Sequence, residues 1–144
     1  ALTDTYTTDV FFVQFNKKYS KLFDGVRHDS GDPIEFAQKT IAHYKQMGID
    51  PKSKIIVFSD SLNYEKVKVI ADFCRGKIKI SFGIGTNFSN DVGLEAMNMV
   101  IKLTDAKPDN SNWEGVVKLS DEKNKHTGTL KMIALAKQVL GIED

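Results

Sequence analysis

Aspartates recur in this sequence where an apolar run stops. "LTDTY" places Asp4 just after Leu2, "GVRHDSGD" places Asp29 after a short run, and "KIIVFSD" ends on Ser59 and Asp60. A fourth run, "KIKISFGIGT", ends instead on Gly83-Ile84-Gly85-Thr86. Carboxylates at such points accept hydrogen bonds from sugar hydroxyls or hold a hydrated Mg²⁺. Successive amides in a glycine turn form a nest for an anion. The set suits a polyhydroxylated, phosphorylated ligand. Arg27 and Asp29 alternate onto the same face, one pleat apart. Such a pair fixes its own geometry while the guanidinium offers a planar fork to a carboxylate or phosphate.

Each feature also has a plainer reading. Asp32 suits the N-cap of a following helix, and Asp60 could serve only that role. Gly83 and Gly85 could do no more than allow a tight turn, because a lone G-x-G carries little specificity. His28 alternates with Arg27 and Asp29, so it should face the other way and pack rather than react. His43 and His126 read as surface residues. Cys74 reads as a small core side chain, with no nearby His or second Cys to make it a nucleophile or ligand. "SDEKNKH" (120–126) reads as a solvated loop.

The elements that must hold these residues alternate between strand and helix. "ALTD" reads as the end of a strand, and "TTDVFFVQFNKKYSKLF" as one helix with Phe11, Phe12, Phe15, Tyr19 and Leu22 as its apolar surface, serving as core or subunit interface. After the strand ending at Asp29, "DPIEFAQKTIAHYKQMG" has Asp32 as cap, Pro33 at the first helical position and Glu35 completing a capping-box pattern. Its Ile34, Ala37, Ile41 and Tyr44 share one face. "KIIVF" reads as a parallel strand covered on both faces. "SLNYEKVKVIADFCRG" reads as a helix with Val67, Ile70, Ala71 and Cys74 inward. Strand ends at Asp29, Asp60 and Gly85 are spaced by about one βαβ unit, roughly 30 residues. Downstream, "AMNMVIKLT" (96–104) and "WEGVVKLS" (113–120) flank the turn-rich "DAKPDNSN" and predict an antiparallel hairpin, followed by a helix over "TLKMIALAKQVLG".

Composition limits the function classes. The 144 residues are 41% hydrophobic, enough for one compact domain, and 20 basic against 19 acidic residues leave a net charge of +1. That balance calls for neither nucleic acid nor an anionic membrane as partner. One cysteine excludes an internal disulfide and fits a reducing, cytoplasmic compartment. The opening "ALTDTYTTD", without Met and already in a strand, reads as a piece of a longer protein.

Taken in order, "LTDTYTTDVFF", "GVRHDSGDP", "VFSDSLN", "SFGIGTN", "MNMVIKL" and "VVKLSDEKNK" resemble the C-terminal part of the nicotinate phosphoribosyltransferases, from residue 2 to about residue 126. The resemblance implies an α/β fold, with residues 1–95 part of an incomplete parallel β/α barrel that binds the phosphoribosyl group. Residues 96–144 would form an appended C-terminal β-hairpin and helix that pack with an N-terminal domain. It implies formation of nicotinate mononucleotide and pyrophosphate from nicotinate and phosphoribosyl pyrophosphate, in NAD biosynthesis, with Mg²⁺ and with ATP hydrolysis through a phosphorylated histidine. By this resemblance Gly83, Gly85 and Thr86 hold the 5′-phosphate. Asp60 and the Ser59 backbone hold the ribose hydroxyls, and Asp29 belongs to the ribose and Mg²⁺ neighbourhood. Arg27 lies against the pyridine–ribose end, and Asp4 lines the same cavity. None of His28, His43 or His126 matches the phosphate-accepting histidine, and Asn124 stands where the family pattern has Gly, which leaves Lys125 without an assigned role. The chain by itself is expected to be inactive, because the phosphate-accepting histidine and the base pocket are missing from it, and to form a homo-oligomer, because cut strands leave unpaired edges and Ile56 and Phe58 would share the barrel interior with Asp60. A nicotinamide-specific relative and a non-catalytic phosphosugar-binding module are the competing readings.

Overall fold

The computed structural model describes residues 1–97, 99–122 and 125–142. Two short helices open the chain, α1 (Thr8–Gln14) and α2 (Lys17–Leu22). The expected single helix breaks at Phe15, because the Asn16 side chain accepts from the Lys18 and Tyr19 N–H groups and starts a new helix. The break turns Tyr19 and Leu22 out to solvent and leaves Phe15 buried. Then come β1 (Gly25–His28), α3 (Pro33–Gln46), β2 (Ile55–Phe58), α4 (Tyr64–Cys74), β3 (Lys79–Phe82) and a single turn of helix, α5 (Thr86–Ser89).

The three strands form one parallel sheet in the order β1-β2-β3, with His28, Phe58 and Phe82 in register. The N-terminal segment joins β1 through a parallel bridge between Leu2 and Arg27, with the Arg27 N–H donating to Ala1 O at 2.7 Å. The start of β1 admits only glycine, since a Cβ on Gly25 would lie 1.8 Å from Ile55 O. Asp32 caps α3 as expected, accepting from the Ile34 and Glu35 N–H groups at 2.8 Å each.

The core lies on one face of the sheet. Val26, Ile56 and Phe58 are buried there with Phe36, Ala37 and Tyr44 of α3 and Ile70 and Cys74 of α4. Burial of a side chain such as Phe58 contributes about 1.5–3 kcal/mol. Ile56 and Phe58 therefore belong to the helix-covered face and are not exposed beside Asp60. The opposite face carries Arg27, Val57 and Ser81 in register. β2 is thus covered fully on one face only, and its Ile55 and Val57 are half-buried. His43 is buried rather than superficial: its Nε2 lies 2.7 Å from Phe15 O and 3.2 Å from Ser20 Oγ, so it fastens α3 to the α1–α2 break.

Beyond residue 90 the chain has little core of its own. The hairpin exists but is shorter and shifted, pairing β4 (Asp105–Ala106) with β5 (Glu114–Gly115) around a turn at Pro108–Ser111. Residues 99–103 form no strand, and Met99, Val100, Ile101 and Leu103 stay exposed. With neither face covered, alternation has nothing to lock onto. The final helix, α6 (Leu130–Leu140), buries none of its residues.

Candidate active site

The parallel sheet brings the strand ends together, and alternation sorts their side chains. His28 points into the core, 2% exposed, against the rings of Phe36 and Phe58. Its Nε2–H donates to Gly31 O at 3.2 Å, while Nδ1 has no partner among the described residues. Burial lowers its pKa and so favours the neutral ring, while the carbonyl of Gly31 selects the Nε2–H form. Gly31, at φ +81°, turns the Asp29–Asp32 loop back over this ring.

On the other face the expected pair is formed. Arg27 Nη2 donates to Asp29 Oδ1 at 3.0 Å, and Arg27 Nε donates to Ser59 Oγ at 2.9 Å. The Ser59 hydroxyl can donate either to Asp29 Oδ1 at 3.1 Å or to His28 O at 3.0 Å. Half-exposed Arg27 adds little stability through this pair, ~0–1 kcal/mol. What the contacts fix is direction, with a serine from β2's end and an arginine from β1 sharing one carboxylate oxygen. The Ser59 N–H donates to His28 O at 3.0 Å within the ladder. Its side chain is the part that reaches the site.

Asp60 is not a helix cap. Asn63 caps α4, accepting from Lys66 N–H. Asp60 Oδ1 accepts from Ser61 Oγ and from Lys125 Nζ, each at 3.2 Å. Lys125 also donates to Glu122 Oε1 at 2.9 Å. Burial works against the ammonium, but its bonds to Glu122 and Asp60 outweigh that and raise the Lys125 pKa. The Lys125 contact lowers the pKa of Glu122.

At the end of β3 the Gly83 N–H is taken up by Phe58 O at 2.8 Å, so this amide is part of the sheet. The next four N–H groups, of Ile84, Gly85, Thr86 and Asn87, have no acceptor among the described residues. The Asn87 side chain donates to Leu62 O at 2.8 Å, which ties the turn to the loop after Asp60.

Asp4 is brought to the same end of the sheet, though buried at 1% exposure. Its Oδ2 accepts from Ser30 Oγ at 3.2 Å, Ser120 Oγ at 3.3 Å and Lys118 Nζ at 3.1 Å, while Oδ1 has no partner among the described residues. Asp121 accepts from the Thr8 N–H and hydroxyl at 2.7 and 2.5 Å, and its Oδ2 lies 3.4 Å from Ser30 Oγ as the alternative acceptor for that one hydroxyl proton. A cleft of about 560 Å³ opens over Asp29, between residues 100–103 and Val116, Val117, Lys118 and Thr127. Of the residues singled out from sequence, this cleft takes only Asp29.

Ser30, Lys118, Ser120, Asp121, Glu122 and Lys125 were not among the expected site residues. "SDEKNKH" looked like a solvated loop, yet Leu119 N–H pairs with Thr5 O at 2.8 Å and lays this segment across the strand ends. The signal available was the apolar run "GVV" ending on alternating Lys118, Ser120 and Glu122. Asn124, the departure from the family pattern, lies outside the described residues. His126 is half-buried, and Cys74 is buried as expected, its thiol pKa raised by burial. No helix among the described residues is long and apolar enough to cross a membrane.

Known proteins resemble the chain along its whole length. The sequence model of the nicotinate phosphoribosyltransferase (NAPRTase) family matches residues 1–144. A nicotinate phosphoribosyltransferase of Chromohalobacter salexigens is 61% identical over 142 residues, which are 99% of this chain and 36% of the relative. One from Methanosarcina mazei is 46% identical over 98% of this chain and 34% of its own length. Among solved structures, the nicotinate phosphoribosyltransferase of Porphyromonas gingivalis superposes with a TM-score of 0.92 at 51% identity, over 98% of this chain and 37% of that one. That of Vibrio cholerae gives 0.90 at 36% identity, over all of this chain and 35% of the other. The chain spans about a third of the length of these relatives. With the match running from its first residue to its last, the chain belongs to the nicotinate phosphoribosyltransferase family.

Proposed function

We propose that the chain supplies the phosphoribosyl-binding part of an enzyme that makes nicotinate mononucleotide and pyrophosphate from nicotinate and phosphoribosyl pyrophosphate. The observation that carries this is the run of four unused N–H groups, Ile84 to Asn87, at the end of a parallel strand beside Asp60. Successive amides without acceptors suit a phosphate, and ligands of parallel α/β sheets bind at strand C-terminal ends. In this reading the sheet is part of an incomplete β/α barrel. Thr86 and the amides after Gly83 hold the 5′-phosphate, Asp60 accepts from the ribose hydroxyls, and Arg27 faces the pyridine–ribose end. Asp4 sets the floor of the site through Ser30 and Lys118.

Among the described residues no group of three His, Cys, Asp or Glu could hold a metal ion. Mg²⁺ needs only one or two carboxylates when substrate phosphates and waters complete its shell, and Asp29 leaves its Oδ2 without a donor among the described residues. Asp29 is the residue to hold it, and Mg²⁺ would supply charge neutralisation at the departing pyrophosphate. As pyrophosphate leaves, the ribose C1 gains positive character. The carboxylates of Asp29 and Asp60, held in place before reaction, favour that charge. None of this chain's histidines is assigned to accept phosphate from ATP: His28 and His43 are buried. The remaining contacts to nicotinate, the ATP coupling, a cytoplasmic setting and homo-oligomer formation are assigned to the whole enzyme, and the chain alone is expected to be inactive. Residues 96–142 are the part that packs against the other domain.

Amide NMR of the 144-residue chain during titration with inorganic phosphate tests the reading. The resonances of Ile84, Gly85, Thr86 and Asn87 are expected to shift together and Gly83 least. Unmoved resonances at 84–87, at phosphate concentrations that move others, refute it.

A further inference from the structure

The carboxylates of Asp29 and Asp60 are held in the same way. Asp29 Oδ1 takes a cation and a serine, Arg27 and Ser59. Asp60 Oδ1 likewise takes a cation and a serine, Lys125 and Ser61. In both, Oδ2 has no donor among the described residues. One oxygen anchored and one left free is what a carboxylate needs to accept from a ligand hydroxyl in a fixed direction. Arg27 comes from the neighbouring strand, but Lys125 comes from 65 residues downstream. Through Glu122 it is also joined to the loop that carries the first carboxylate. Glu122 Oε1, 2.9 Å from Lys125 Nζ, accepts from the Gly31 N–H at 3.4 Å, in the loop that carries Asp29.

We infer that Lys125 is a positioning residue for ribose recognition, fixing Asp60 through Oδ1 so that Oδ2 receives the ribose hydroxyl, and linking that carboxylate through Glu122 to the Asp29 loop. A local Lys125–Glu122 pair of the ordinary surface kind would stop at the two residues three apart. Here the same ammonium also reaches Asp60, only 21% exposed, at the end of β2, while Glu122 reaches the loop after β1. The inference rests on the phosphoribosyl reading above and adds to it a residue that the glycine turn and the strand ends do not supply.

The test uses the 144-residue chain with two probes, inorganic phosphate and ribose 5-phosphate, followed by amide NMR. Phosphate engages the 84–87 turn alone, whereas ribose 5-phosphate also needs Asp60. Lys125→Met is expected to leave phosphate affinity within about twofold and to weaken ribose 5-phosphate about tenfold, the size of one charge-assisted contact. Lys125→Arg, which keeps the charge and serves if the Met variant does not fold, is expected to regain ribose 5-phosphate affinity to within about threefold. Without any ligand, Lys125→Met and Glu122→Gln should both move the Gly31 amide resonance. Equal ribose 5-phosphate affinity in wild type and Lys125→Met overturns the inference alone. So does an equal loss for both probes, which would make Lys125 a phosphate ligand or a general support. Failure of the wild-type chain to bind either probe overturns the phosphoribosyl reading and, with it, the role given to Lys125.

Discussion

Lys118→Met should act well beyond its own surface position, because it strips the cation from a carboxylate sealed inside the protein. Asp4 is 1% exposed, whereas the Lys118 side chain is 39% exposed, and their contact is 3.1 Å. Breaking a fully buried pair costs about 3–5 kcal/mol, while a fully exposed one is worth ~0–1 kcal/mol. With one end buried, and with Ser30 and Ser120 still donating to Asp4 Oδ2, the expected loss is ~2 kcal/mol. Asp4→Asn removes the buried charge and frees Lys118 to solvent, so it should cost less, about 1 kcal/mol. In the Asp4→Asn background, Lys118→Met should cost nearly nothing, giving a coupling of about 1–2 kcal/mol. Urea denaturation of wild type, the two single variants and the double variant at pH 7 measures the cycle. Additive single effects, or a Lys118→Met variant as stable as wild type, would show that Asp4 is not held by Lys118 and that the segment 118–125 is pinned by something else.

Tyr44 is fully buried, its hydroxyl has no partner among the described residues, and burial pushes its pKa up to about 12 from 10.0. The unfolded chain therefore releases this proton first, so stability present below pH 10 is lost between pH 10 and 12, by roughly 2–3 kcal/mol. Tyr44→Phe should escape that loss and be neutral to about 1 kcal/mol more stable at pH 7; a variant as alkali-sensitive as wild type in urea melts would contradict this. The exposed Phe88, Ile101, Trp113 and Leu130 (83, 88, 70 and 86%) predict self-association of the chain, relieved by Ile101→Asp and Leu130→Asp. Sedimentation showing a clean wild-type monomer would rule that out.

The sheet was legible because each of its helices carries local signals that agree with their packing. Asp32 and Pro33 start α3, and Ile34, Ala37, Ile41 and Tyr44 mark its inner face, all packed in or against the core. The Arg27–Asp29 pair was legible from alternation alone. What failed were features decided by competition between local and distant partners. Asn16 wins over the helical pattern around it by capping α2. His43 looks superficial on its helix, yet the α1–α2 break brings Phe15 O and Ser20 to it. Ile56 and Phe58 alternate in the same way whichever face the helices cover, so strand periodicity could not say which was inside. Lys125 shows the same limit, since nothing local announces a partner at Asp60.

Five aspartates lie at this end of the sheet, and each already has a partner: Asp121 accepts from the Thr8 N–H and hydroxyl. Asp4 meets Lys118, Asp29 meets Arg27 and Asp60 meets Lys125, while Asp32 is turned onto the first amides of α3. Pairing leaves directional oxygens where hydroxyls are expected and cancels much of the charge that a phosphate would otherwise face. The donors for that phosphate lie a strand away, on amides that carry no counter-charge of their own. In the proposed phosphoribosyl reading, segregating acceptors on β1 and β2 from donors after β3 would give the ligand one orientation, sugar towards the aspartates and phosphate towards the glycine turn. Two of the three cations that make this work, Lys118 and Lys125, come from a single segment laid back across the sheet. That segment, although remote in sequence, is as much a part of the site as the strands themselves.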